Sequence, residues 1–109
     1  MTDKELIELA AKAAGITGYR YSEGFGCMGL WNESDGGWFD ACGLWDPLRD
    51  DGDALRLAVK LGIEFHMEGD EESECVWANE IFEWTDGCAL SVTRRAITRA
   101  AAQIGKEME

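Results

Sequence analysis

The sequence predicts a single α+β domain over residues 1–109, in which three helices pack with a small, mostly antiparallel sheet as an α/β sandwich. Three observations lead to this prediction. Apolar residues recur at helical spacing near both ends of the chain and in residues 54–61. Glycines and alternating apolar residues, typical of turns and short strands, separate these segments. A chain of 109 residues with 46% hydrophobic content is also long enough for one folded core.

The first helix is predicted to begin after Thr2, because Thr2 and Glu5 have the spacing of a capping box. Gly15 can end the helix in a left-handed conformation. Its apolar face comprises Leu6, Leu9, Ala10 and Ala13, flanked by Ile7 and Ala14. Because alanine side chains are small, this face indicates a close approach to the neighbouring element.

A second helix is predicted between Trp45 and Gly62, and the rest of the fold is expected to be built on this part of the chain. Pro47 keeps the preceding residue extended, after which Asp50 or Asp51 can cap the helix. Gly62 lies where a left-handed C-terminal cap is needed. The apolar stripe comprises Leu55, Ala58 and Val59, widened by Ala54, Leu57 and Leu61. So few positions remain polar that the helix is expected to bury a broad face.

Alternating residues after this helix predict a half-buried strand. Its apolar positions alternate with polar ones, in the order Ile63, Glu64, Phe65, His66, Met67 and Glu68. Residues 75–78 are predicted to return antiparallel to it, and residues 80–84 to form a further strand or a loop. Three earlier strands are predicted at residues 19–21, at residues 27–31 and from Trp38, with a hairpin turn at residues 35–37.

The third helix is predicted from Cys88 or Ser91 to about Lys106. Its apolar positions are Leu90, Ile97 and Ile104, with Ala100, Ala101 and Met108 alongside. Arg95 and Arg99 fall on the outer face, with Arg94 near its margin. These arginines are expected to pair with acids or to serve a dimer contact.

The charge of the chain is concentrated in its middle. The net charge is −12, and the span from Ser22 to Cys88 holds 17 acids and three bases, hence a net charge of −14 for that span. Such a charge disfavours direct binding to nucleic acid or to an anionic membrane, because both carry negative charge themselves. It favours a basic protein partner instead, or serves only to keep the protein soluble.

The expected location is a cytoplasm. No apolar run approaches the roughly 18 residues of a membrane span, and the first residues do not resemble a signal peptide. In that compartment Cys27, Cys42, Cys75 and Cys88 are expected to remain reduced and to act as small buried hydrophobes.

No set of residues predicts an enzyme or a cofactor site. His66 is the one histidine, so a nucleophile-and-base set would have to include it, although it lies in an ordinary strand pattern. Glu64, His66 and Glu68 could hold a divalent ion, but their spacing is that of any solvated strand face. The cysteines show no C-x-x-C pair. We therefore expect a non-catalytic protein without a metal or cofactor.

The residues expected to bind a partner lie in the acidic turn and its flanking strands. They are Glu64, Glu68, Asp70, Glu71, Glu72, Glu74, Glu83 and Trp84. Clustered charge of one sign steers association with a basic surface, and an exposed tryptophan is a typical anchor. The other tryptophans are expected to fill the core and the sheet edges, with Trp84 the exception.

Three stretches resemble a known family. They are residues 46–62 (DPLRDDGDALRLAVKLG), residues 94–106 and residues 3–15. Together they resemble the phage α-β-α sandwich domain, a family of small bacteriophage proteins. The resemblance implies this sandwich fold and a phage origin. It implies no activity and no catalytic residues.

The function expected from charge and resemblance together is that of a phage-encoded binding protein. It would inhibit a host nucleic-acid-binding or defence complex, such as a CRISPR complex, by docking its acidic face in the host cytoplasm as a nucleic-acid mimic. The alternative is a phage structural or assembly accessory that acts as a homodimer through its apolar helix faces.

Overall fold

The computed structural model describes residues 1–32, 37–38, 44–69, 74–84 and 88–108, and it confirms an α+β fold with three helices. The helices are α1 (Asp3–Ala14), α2 (Asp51–Leu61) and α3 (Ala89–Glu107). The strands are β1 (Tyr19–Ser22), β2 (Cys27–Asn32), β3 (Gly37–Trp38), β4 (Phe65–Gly69), β5 (Glu74–Ala78) and β6 (Ile81–Trp84). They form two antiparallel sheets, β1-β2-β3 and β4-β5-β6, where the sequence suggested one. Each sheet consists of consecutive strands, and α2 separates the two along the chain.

Helix α1 has the predicted caps. The Glu5 N–H donates to the Thr2 hydroxyl at 3.2 Å, and the Thr2 N–H donates to the Glu5 carboxylate at 3.4 Å, which is the capping box. Gly15 ends the helix with φ of 69°. Glycine suits this position because a side chain there would strain the left-handed backbone.

Helices α1 and α3 pack at very short range, as the alanines of α1 predicted. Ala10 and Ala14 of α1 are buried, as are Ala100 and Ala101 of α3. A methyl group at Gly105 would overlap the backbone oxygen of Leu9, so only glycine fits there. This close contact makes α3 the element on which α1, α2 and the β4-β5-β6 sheet assemble.

The predicted broad buried face of α2 is wrong. Asp50 caps the helix and Gly62 ends it with φ of 65°, as expected. The buried residues, however, are Ala54, Leu57 and Ala58. Leu55 and Val59 are 55% and 74% exposed, because α2 lies at the margin of the core and contacts it along one narrow stripe.

The β4 strand pairs antiparallel with β5 as predicted, with Phe65 opposite Ala78 and Met67 opposite Val76. The prediction that β4 is half-buried is nevertheless wrong, since all five of its residues are exposed. Val76 and Ala78 are fully buried, while Phe65 and Met67 on the same face are 41% and 50% exposed. β4 is an edge strand of this sheet, and it extends beyond the helices that cover β5.

The other strands fall close to their predicted positions. β1 pairs with β2, β2 with β3, and β5 with β6. Most of the predicted hairpin turn at 35–37 lies outside the described residues. Trp45 is buried in the core, as expected, and exchanges backbone hydrogen bonds with Met28 at 2.8 and 3.1 Å. Trp77 is only half-buried, and the side chains of Trp31, Trp38 and Trp84 lie outside what the structure describes.

None of the helices in the described part of the chain combines the length and the apolar character that a membrane crossing requires.

Candidate partner-binding face

One face of the β4-β5-β6 sheet points away from the helices, and we call it the outer face. In the register of this sheet His66 lies opposite Trp77, and Trp77 lies opposite Phe82. Cross-strand partners project to the same side of a sheet, so an imidazole, an indole and a phenyl ring form one row. Glu64 lies two residues before His66 and Glu68 lies two residues after it. All three are exposed, so they line the open edge of this row.

Short contacts fix the side chains of the outer face. The His66 Nε2 atom lies 3.1 Å from the Glu68 Oε1 atom, and both side chains are more than half exposed. The Trp77 and Phe82 rings meet edge to face with their centroids 5.0 Å apart. The outer face therefore offers carboxylates next to flat aromatic surface, which is the chemistry that recognises guanidinium and ammonium groups.

The turn between β5 and β6 holds the backbone of Glu64 in place. The Asn79 N–H donates to the Glu64 carbonyl at 2.8 Å, and the Glu64 N–H donates to the Asn79 side-chain oxygen at 3.1 Å. Asn79 has φ of 54°, a left-handed conformation that asparagine tolerates better than most residues. The start of β4 is thus anchored while the Glu64 residue stays exposed.

The structure does not bring Glu83 to the outer face. Glu83 lies opposite Val76, on the side of the sheet that packs on α3. The Arg99 Nη1 atom donates to its carboxylate at 2.5 Å, and the Arg95 Nε atom lies 4.0 Å from the same oxygen. With its side chain 23% exposed and held by two arginines, Glu83 serves to join the sheet to α3.

Four other acids are also paired with arginines, and all but Asp3 belong to the acidic span from Ser22 to Cys88. Asp46 pairs with Arg49 at 2.9 Å, Asp53 with Arg56 at 2.7 Å, Asp51 with Arg94 at 2.5 Å and Asp3 with Arg95 at 3.2 Å. The hydrogen bond that Arg49 donates to Asp46 raises the pKa of the Arg49 guanidinium, and the one that Arg56 donates to Asp53 raises the pKa of Arg56. The arginines of α3 thus pair with acids, the first of the two roles expected for them.

Other predicted site residues are described only in part. Asp70, Glu71 and Glu72 lie outside the described residues. For Glu74 and Trp84 the structure gives strand positions, with Glu74 opposite Gly69 and Trp84 opposite Cys75. Trp77 and Phe82 were not among the residues predicted for the site. The pairing of β5 with β6 brings them to the outer face. The sequence signal for this was that each of them precedes or follows a residue of the opposite face, Val76 or Glu83.

No metal site is present among the residues that the structure describes, where no group of three or more histidine, cysteine or acidic side chains could hold an ion. Cys27 and Cys75 are buried free thiols, whereas the prediction that Cys88 is buried is wrong, since its free thiol is exposed. Cys42 lies outside the described residues. Burial, reinforced by the nearby Asp46 charge, raises the pKa of the Cys27 thiol above its ordinary value of 9.0. Cys27 is therefore a protonated core residue.

No protein-family model matches this chain, and no curated protein or solved structure matches it. The resemblance to the phage α-β-α sandwich domain therefore stays a prediction.

Proposed function

We propose that this protein is a non-catalytic binding protein that docks the outer face of the β4-β5-β6 sheet on a basic surface of a partner protein. One observation carries the proposal. Among the described residues, Glu64 and Glu68 have no arginine or lysine partner, whereas Glu83 of the same sheet is held by two arginines. Two available carboxylates beside a row of aromatic rings suit the cations of such a surface. The net charge of −12 adds long-range attraction.

The proposed partner is a nucleic-acid-binding complex of a bacterial host, such as a CRISPR-type defence complex. Proteins that bind nucleic acid carry lysines and arginines that neutralise phosphates. An acidic protein that occupies those side chains excludes the nucleic acid by direct competition. The resemblance of residues 3–15, 46–62 and 94–106 to a phage family supports a phage origin, and therefore action in the host cytoplasm. Occupation of a surface requires neither a cofactor nor a catalytic residue.

The test is reversal of charge on the outer face. The variant Glu64→Lys/Glu68→Lys places ammonium groups where the proposal needs carboxylates. We expect immobilised variant protein to capture basic nucleic-acid-binding complexes from bacterial lysate at least about 10-fold less than wild type, because like charges repel across an interface. Quantitative mass spectrometry of the eluates measures this, and inhibition of DNA binding by the captured complex should fall in parallel.

The matched control is Glu8→Lys/Glu107→Lys, which changes the net charge equally at exposed positions of α1 and α3. We expect this control to keep capture within about 2-fold of wild type, because only the general steering charge is reduced. Raising the salt concentration from about 0.1 M to about 0.5 M should also weaken capture by wild type. The distance over which charges attract one another is about 10 Å at the lower concentration and shorter at the higher one. Equal losses in both variants would show that the outer face has no special role.

A further inference from the structure

The inner side of β4 continues into an exposed apolar surface. Phe65 and Leu90 line a shallow groove with Leu55, and Leu90 is 61% exposed. Met67 lies two residues along β4 on the same face, and Val59 one turn along α2. Exposed apolar side chains that adjoin one another in this way are typical of an interface between proteins.

Within the described part of the chain, the backbone of β4 also has unused hydrogen-bonding groups at the edge of the sheet. The carbonyl of Glu64 accepts from the Asn79 N–H, so the polar groups of Glu64 point toward the β5 side. In an antiparallel ladder successive residues point their N–H and C=O groups to opposite sides. The groups of Phe65, Met67 and Gly69 therefore point outward. β4 carries no proline or lysine, the residues that often protect such an edge from pairing.

We propose that β4 pairs antiparallel with β4 of a second copy of this chain, about a two-fold axis that passes through Met67. The proposal does not depend on the proposed function, since the backbone groups of β4 can pair whether or not the outer face binds a basic partner. A symmetric pair must bring outward-pointing groups together, and an axis at any residue of β4 does so, because an odd-numbered residue then always lies opposite an odd-numbered residue of the second copy. Only the Met67 axis uses all three residues, with Phe65 opposite Gly69 of the second copy.

The side chains favour the same axis. With the axis at Met67, His66 lies opposite Glu68 of the second copy, and Glu68 lies opposite His66 of that copy. Each carboxylate then lies between two imidazoles, because His66 and Glu68 are already 3.1 Å apart within one chain. On the inner face the Phe65 ring can cover Gly69 of the second copy, and the two Met67 side chains meet. Because His66 and Glu68 complement each other across the axis, we expect β4 to pair with a second copy in preference to a basic peptide.

The dimer and the proposed partner complex respond oppositely to salt. Two copies that each carry a net charge of −12 repel one another, so screening by salt is expected to strengthen the dimer. Docking on a basic surface is weakened by the same change. Failure of one proposal is therefore distinguishable from failure of the other.

Sedimentation equilibrium tests the dimer. Wild type is expected to shift from 12.1 kDa toward twice that mass between about 1 and 500 µM, the range of a small interface, and at lower concentration in higher salt. Met67→Pro removes an outward N–H that β5 does not use, and should keep the protein monomeric. Met67→Thr keeps that N–H and should keep most of the association. The proposal would be overturned if wild type stayed at 12.1 kDa over this concentration range in both low and high salt. It would also be overturned if the Met67→Pro variant still dimerised.

Crosslinking tests the axis independently of how Met67→Pro folds. In a Cys42→Ser/Cys88→Ser background, single cysteines replace Phe65, Met67 and Glu68 in turn. Residues opposite each other in a hydrogen-bonded pair have Cα atoms about 5.5 Å apart, within disulfide range. Met67→Cys alone faces its own copy and should form covalent dimer at least about 10-fold faster than the other two. A maximum at another position, or binding of a basic peptide by β4 in a protein that stays monomeric, would overturn the proposal.

Discussion

Acidic side chains have different surroundings in two regions of the molecule. Asp51, Asp53 and Glu83 each have an arginine within 2.7 Å. The pair of Asp53 with Arg56 lies within α2, and the other two pairs join α3 to α2 and to β6. Glu64 and Glu68 on β4 have no such partner among the described residues. The same contrast holds for apolar side chains, which are buried between α1 and α3 but exposed along β4 and the outer side of α2. In the described part of the chain, β4 therefore combines carboxylates that lack an arginine partner with exposed apolar side chains.

The largest effect that tests this contrast comes from the leucines of α2. Leu57→Ala is expected to lower the free energy of unfolding by about 3 kcal/mol, because Leu57 is buried and its loss leaves a cavity. Leu55→Ala should change it by less than about 0.5 kcal/mol, since Leu55 already faces solvent. Urea denaturation followed by circular dichroism measures both, at a concentration where the protein is monomeric. Similar losses at the two positions would mean that the outer side of α2 is covered in the folded protein.

A smaller effect compares two glutamates of the β4-β5-β6 sheet. Glu83→Gln is expected to cost about 1 kcal/mol of unfolding free energy, because Arg95 and Arg99 lose a charged acceptor between sheet and helix. Glu68→Gln should be neutral within about 0.3 kcal/mol, since its carboxylate is exposed and lacks an arginine. Urea denaturation at low and high salt measures the difference. If the two substitutions cost the same, the division between paired and available acids fails.

The smallest effect concerns the thiols. Cys88 is exposed and Cys27 is buried, so iodoacetamide at pH 8 should label Cys88 at least about 10-fold faster. The raised pKa keeps the Cys27 thiol protonated in the folded protein, whereas an unfolded thiol ionises near its ordinary value of 9.0. Stability should therefore decline as the pH rises above 9, and Cys27→Ala should reduce that decline. Peptide mass spectrometry gives the labelling rates, and a pH series of unfolding curves tests the decline.

The parts of the fold that were predictable from the sequence depend on residues close together in the chain. The capping box of Thr2 with Glu5, the Asp50 cap and the left-handed glycines at positions 15 and 62 are all local devices. The antiparallel return of β5 onto β4 was predictable for the same reason, since only four residues separate the two strands along the chain.

Burial and charge pairing were less predictable because they depend on distant elements. Apolar spacing shows that α2 and β4 each have an apolar side, but only the position of α3 decides how far that side is covered. The pair of Arg94 with Asp51 joins residues 43 positions apart, and that of Arg95 with Asp3 joins residues 92 apart. A charge count therefore overstated the acidic surface, and the rings of Trp77 and Phe82 joined the site only through strand register.

The contact between Gly105 and Leu9 has a consequence for synthesis of the protein. Helix α1 leaves the ribosome before α3, because Gly105, which receives the α1 backbone, lies 96 positions after Leu9. Until α3 has emerged, the alanine face of α1 lacks the helix that covers it in the folded protein. That face is therefore open to contacts with other molecules during synthesis. The last turns of α3 therefore complete the fold as a whole.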